Sequence, residues 1–115
     1  METILAEWKE RLGLNDWTIK LTPNVHRLPD EDGCGYTDWS ETGKSAHIYL
    51  LHPDEYGERI VPYDEEKTLV HELLHLKFTL LHSLEKEDLQ NRLLHQLIDD
   101  MAKALVQAKR SQPTA

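Results

Sequence analysis

Between Asp64 and Leu81 the apolar residues fall on two stripes of a helix, with Leu69, Leu73, Leu76 and Leu80 on one and Val70, Leu74 and Leu81 on the other. A helix that is apolar on two sides needs core on both, so in a chain of 115 residues it must lie at the centre of the molecule. Asp64 is placed to cap its start, and Glu65 and Glu66 suit its positive end. With 39% hydrophobic residues, three Trp and four Tyr, the chain has the large side chains for one compact core and little room for a second. The expectation is a single domain over 1–115, frayed over about 110–115.

The rest of the chain must pack around that helix. Ile4, Leu5, Trp8 and Leu12 predict a short amphipathic helix over about 3–12, with Thr3 as its cap and Gly13 ending it. Leu14 to Leu21 sets Trp17, Ile19 and Leu21 against Thr18 and Lys20 and predicts a strand, which Pro23 ends because proline cannot donate to a continuing ladder. Asn24 to Asp32 is polar and expected to cross the surface. Cys34 to Trp39 and Ser45 to Leu51 predict two further strands, joined at Glu41–Lys44 as an antiparallel hairpin. His52, Pro53 and Asp54 close the third strand, and Tyr56 to Pro62 reads as a loop. Ser83 suits the cap of a last helix ending near Lys109, with Leu94, Ile98, Met101 and Leu105 as its apolar arc and Leu93, Leu97, Ala104 and Ala108 widening it. The order of helix, three strands and two helices predicts an α+β fold with a small antiparallel or mixed sheet.

Charge and cysteine usage narrow the function classes. A net charge of -8, from 21 acidic and 13 basic residues, disfavours attraction to a phosphate backbone, so nucleic acid is a poor partner. No apolar run approaches the roughly 20 residues needed to span a bilayer. The start METILAEWKE lacks the basic and apolar regions of a secretory signal, and the single Cys34 allows no intrachain disulfide. A cytoplasmic protein without nucleic-acid or membrane partners is the expectation.

The central helix also carries the chemistry. In His71-Glu72-Leu73-Leu74-His75 the two histidines stand four apart, on one side of a helix, where both imidazoles can reach one ion. Glu72 lies roughly 100° further round and can address a water on that ion. The spacing joins the two requirements of a hydrolytic zinc centre, a metal that acidifies water and a carboxylate that takes its proton. In the competing reading, His71 and His75 are polar residues flanking a core helix and Glu72 is a good helix former.

Two histidines rarely suffice for zinc, so a third protein ligand is expected. His95, between the apolar arc and the polar face of the last helix, is the first choice, with an exposed boundary histidine as its bland alternative. Asp99, one turn later, and Glu85, Glu87 or Asp88 compete with it; Asp99 can instead accept a proton from the noncoordinating nitrogen of a ligand histidine. His82, seven residues past His75, lies about 10 Å further along the helix, too far for the same ion. Cys34 is either a ligand or, more commonly for a lone cysteine, a small buried hydrophobe. His47 and His52 flank the third strand, where they bind substrate or end an edge, and Tyr56 and Tyr63 are candidates to donate to a developing oxyanion. If the third strand is the sheet edge above the metal helix, an extended peptide can lie beside it.

Beyond the motif, the chain resembles the minimal zincins, or minigluzincins, a family of small HExxH metallopeptidases of bacterial, archaeal and phage proteins. The resemblance rests on Leu12-Gly13-Leu14 with Asp16-Trp17, on Ala46-His47-Ile48-Tyr49-Leu50, and on Thr68-Leu69-Val70-His71-Glu72-Leu73-Leu74-His75-Leu76. It implies an N-terminal helix, a three-stranded sheet, an active-site helix and a C-terminal helix bearing the third ligand. That ligand is usually glutamate in the family, and the alignment on Gln96, Ile98, Asp99, Ala102, Ala104, Leu105 and Val106 sets it at residue 95, where this chain has histidine. A neutral imidazole then replaces a carboxylate, which alters the acidity of the bound water, or else Asp99 is the ligand. The resemblance also implies latency, through self-inhibition by a terminal segment or self-association in which a neighbour's segment blocks the cleft.

The leading expectation is thus a metallopeptidase with one catalytic zinc on His71, His75 and His95, Glu72 as general base, and a peptide or protein substrate. Two alternatives are a zinc-stabilised protein-binding or regulatory module with little hydrolysis, and a metal-free structural protein assembled through its leucine-rich helices.

Overall fold

The structure is a computed structural model that describes residues 1–29, 33–79 and 88–112, with Asp88 described by its backbone alone. Its elements are α1 (Glu2–Arg11), β1 (Thr18–Val25), β2 (Gly35–Ser40), β3 (Ser45–Leu51), α2 (Pro53–Tyr56), α3 (Glu65–Lys77) and α4 (Asp88–Arg110). The fold is α+β, with four helices among the described residues around a small mixed sheet. Ser83, the expected cap of the last helix, lies outside the described residues, as do Leu80, Leu81, His82, Glu85 and Glu87.

Local chemistry accounts for the helix ends. Helix α1 buries Leu5 and Trp8 and starts from Met1, so Thr3 lies within its first turn instead of capping it. It stops at Gly13, whose φ of 69° suits a residue without a Cβ; Leu14 N–H returns to Lys9 O at 2.8 Å and Gly13 N–H to Glu10 O at 3.2 Å, the paired bonds of a Schellman ending. Helix α3 is capped by Asp64, whose Oδ1 accepts from Lys67 N–H at 3.1 Å. The expected loop after the third strand begins with one helical turn, α2, because His52 Nδ1 accepts from Asp54 N–H at 3.0 Å and Pro53 is preset for a first helical position.

The sheet corrects two expectations. Its strand order is β1-β3-β2, with β3 antiparallel to β2 and parallel to β1, so β3 is the central strand and β2 is the edge on the site side. Pro23 does not end β1, which runs on to Val25. As an edge strand β1 tolerates a residue without N–H, and the pairing shifts register between Thr22 and Val25, where Asn24 takes a φ of 60°. Leu14 and Trp17 are buried but precede the strand, in a turn closed by Trp17 N–H to Leu14 O at 2.9 Å.

One face of the sheet meets α3. Ile19, Ala46 and Trp39 share one row across it, and Leu21, Ile48 and Thr37 the next. Against them lie Leu69, Val70, Leu73, Leu74 and Leu76 of α3, all buried, with α4 packed along the same helix. The two-sided apolar pattern of α3 is therefore used on both sides. Helix α4 keeps the expected arc of Leu94, Ile98, Met101 and Leu105 against the core, the last two partly buried, but widens it on a different side. It buries Leu94, Ile98, Ala102 and Val106, while Leu93 and Leu97 are 57% and 50% exposed and Ala104 and Ala108 are also exposed. None of the described helices is long and apolar enough to cross a membrane.

Candidate metal centre

Helices α3 and α4 run antiparallel: Asp64 lies beside Arg110, His71 beside Asp99, and His75 beside His95. Four-residue spacing stacks His71 over His75 on one side of α3, with ring centroids 5.1 Å apart. The turn of α4 that buries Leu94 and Ile98 carries His95 to the same point, 4.7 Å from the His75 ring and 6.3 Å from that of His71. One nitrogen from each of the three imidazoles lies within 4.8 Å of the others. Three donors at about 2.0–2.1 Å around a tetrahedral ion stand roughly 3.3–3.4 Å apart, so small rotations of the side chains would close this triangle on one metal. These three histidines are therefore close enough to bind a metal ion together.

Asp99 takes the supporting position. Its Oδ1 lies 3.4 Å from His71 Nδ1, while Lys67 and Lys103 approach the same carboxylate at 3.8 and 3.7 Å. With Nδ1 as donor to Asp99, Nε2 of His71 carries the lone pair that a metal needs. Burial holds the His71 imidazole below its ordinary pKa against the opposing pull of Asp99, which favours the neutral, ligating form.

Glu72 is buried, 6% exposed, and lines the same cleft of about 430 Å³ as the three histidines. The opposite wall comes from β2 and the residues before it, including Cys34, Gly35, Tyr36, Thr37 and Trp39, and Lys67 is also part of the lining. Thr37 Oγ1 donates to Glu72 Oε1 at 2.7 Å. The hydroxyl was not foreseen, although the alternation of Gly35, Thr37 and Trp39 against Tyr36 and Asp38 already sets it on one face of its strand.

Other sequence candidates fall elsewhere. Cys34 is half-buried at the cleft wall and outside the histidine cluster, and burial pushes its thiol up, away from the thiolate that binds metal. His47 is on the outer face of the sheet, with Nε2 2.7 Å from Thr22 Oγ1 and Nδ1 3.0 Å from the Tyr49 hydroxyl. His52 caps α2 and stacks on His26 at 4.9 Å. Tyr56 and Tyr63 stack on each other at 5.2 Å and donate to the backbone carbonyls of Val61 and Leu51, so neither lines the cleft. Glu85 and Glu87 lie outside the described residues, as does the side chain of Asp88. No protein-family model, curated protein or solved structure matches this chain.

Proposed function

We propose that this chain is a zinc-dependent metallopeptidase, of the minimal zincin kind its sequence resembles, with His71, His75 and His95 holding one ion and Glu72 as general base. One observation carries the reading: three imidazoles able to share an ion line the same cleft as the buried carboxylate of Glu72. Imidazole nitrogens suit zinc, and a three-histidine set leaves a position open for water. A zinc ion bound there supplies a Lewis acid for the scissile carbonyl and a water of lowered pKa.

The protein groups do the rest. Glu72 accepts a proton from the attacking water and returns it to the departing amine nitrogen, as the new C–O bond forms and the C–N bond breaks. Asp99 holds the His71 ring in one tautomer through Nδ1–H. The edge strand β2, rather than the central β3, is the place for an extended peptide to add its backbone beside the cleft.

The test is turnover of an unfolded protein by zinc-loaded protein against its Glu72→Gln variant. Zinc content should be equal, and kcat should fall by roughly 10²–10⁴-fold. Equal turnover in the two proteins would remove Glu72 from this role. A second reading draws on the ligands coming from two helices: an ion there staples α4 to α3, as in a zinc-stabilised binding module. It is favoured if zinc raises stability while neither protein hydrolyses peptide.

A further inference from the structure

Inside the cleft, β2 does more than form a wall. Gly35 and Thr37 are paired with buried Leu50 and Ile48, which turns both toward α3. From that face Thr37 Oγ1 reaches Glu72 Oε1 at 2.7 Å, a buried bond between a strand and a helix 35 residues apart in sequence. Gly35 lies against the rest of the same side chain. A Cβ there would stand 2.9 Å from Glu72 Cγ, 3.0 Å from Glu72 Oε2 and 3.0 Å from Thr68 Cγ2, so any larger residue must displace the glutamate or the strand.

From these contacts, and resting on the metallopeptidase reading, we infer that Thr37 is a positioning residue: with Gly35 it seats the Glu72 carboxylate in the plane from which it can act as base. A glutamate side chain has three rotatable bonds and wanders when nothing holds it. A general base must lie within about 2.6–3.2 Å of the proton it takes. Gly35 leaves the side chain just the room that a Cβ would take, and a hydroxyl on Oε1 restricts that wandering without adding a second charge to the cleft. Thr37 touches neither substrate nor metal in this account and acts only through Glu72.

A double-mutant cycle tests this, read by binding of acetohydroxamate to the zinc-loaded protein, since a hydroxamate on zinc donates its proton to the neighbouring carboxylate. Thr37→Val should weaken hydroxamate binding about tenfold and Thr37→Ser, which keeps the donor, by less than about threefold; adding Thr37→Val to Glu72→Gln should cost nothing further. In turnover, Thr37→Val should lower kcat roughly tenfold with KM and zinc content unchanged. The seat is overturned if Thr37→Val and Thr37→Ser lose equally, or if the Thr37→Val effect persists undiminished in the Glu72→Gln background. A parent protein that binds zinc and hydroxamate with this coupling, yet hydrolyses no peptide, sinks the peptidase reading and keeps the seat. Turnover with independent effects of the two residues sinks the seat alone.

Discussion

Helices α3 and α4 meet through polar side chains at two places. At the first turn of α3, acids face bases. Arg110 donates to both oxygens of Asp64, at 2.8 and 3.0 Å, and to Glu66 at 3.2 Å; Lys109 pairs with Glu66 and lies 3.1 Å from Glu7, and Trp8 Nε1–H completes the group at 2.8 Å from Glu66 Oε2. About two turns further along α3, three imidazoles gather instead, with Asp99 behind His71 as the acid beside them. The first meeting sets acids directly against bases and also suits the two helix dipoles, acids at a positive end and bases at a negative one. The second collects lone pairs that a cation would share. One pair of helices therefore carries a fastening at one end and a candidate ligand site further along, and the two should be separable by mutation.

The largest separation is expected in metal affinity. His75→Ala removes the most buried of the candidate ligands and should weaken zinc binding by more than the roughly 10–100-fold typical of losing a supporting group. Glu66→Gln should leave zinc binding unchanged. Competition with a chromophoric chelator measures both. Comparable losses in the two variants would show that the clamp and the site are one unit.

A smaller effect sharpens the site itself. If Asp99 only orients His71, Asp99→Asn should cost about 10–100-fold in zinc affinity, less than His95→Ala in the same assay. The reverse order would make Asp99 the third ligand and His95 a bystander. The zinc-free protein should lose little stability from Asp99→Asn, because pairs as exposed as Asp99 with Lys103 are worth little.

How far the sequence foretold these two regions follows from how local their signals are. The helical period and the cap of α3, the β2–β3 hairpin and the four-residue spacing of His71 and His75 are all written within a few neighbouring residues. His95 was reachable because the last helix must present one side to α3. The parallel pairing of β1 with β3 was not, since alternation marks which face a residue takes and says nothing of which strand lies beside it. The arc of Leu94, Ile98, Met101 and Leu105 was legible, but not the side on which it widens, because Leu93 and Leu97 outweigh Ala102 and Val106 in hydrophobicity, whereas bringing His95 and Asp99 toward α3 turns the smaller pair inward. Thr37 and the clamp failed for the same reason: a threonine on a strand, or a Lys-Arg pair closing a helix, gains its meaning only from a partner more than 30 residues away.

The smallest effect belongs to the clamp. Arg110 is about half exposed, so Arg110→Ala should cost at most about 1 kcal/mol, a fall in Tm of a few degrees, with zinc binding untouched. Its pH dependence identifies the partner. The Arg110 guanidinium holds the Asp64 carboxyl below its usual range, so this contribution is complete above the unfolded value of about 3.9 and fades as pH falls through the lower folded value. Arg110 also bonds Glu66, whose ordinary value is 4.5, so the difference in stability between parent and Arg110→Ala should stay constant from neutral pH to about 4.5 and shrink below it. His71 acts in another window: its folded pKa is depressed by burial, so the unfolded chain takes up a proton from about pH 6.5 downward before the folded one does, and zinc-free parent and variant should lose stability there in parallel. A penalty for Arg110→Ala that already vanished at pH 5 would mean that Asp64 does not carry the clamp, and that the two polar meetings of α3 and α4 titrate as one.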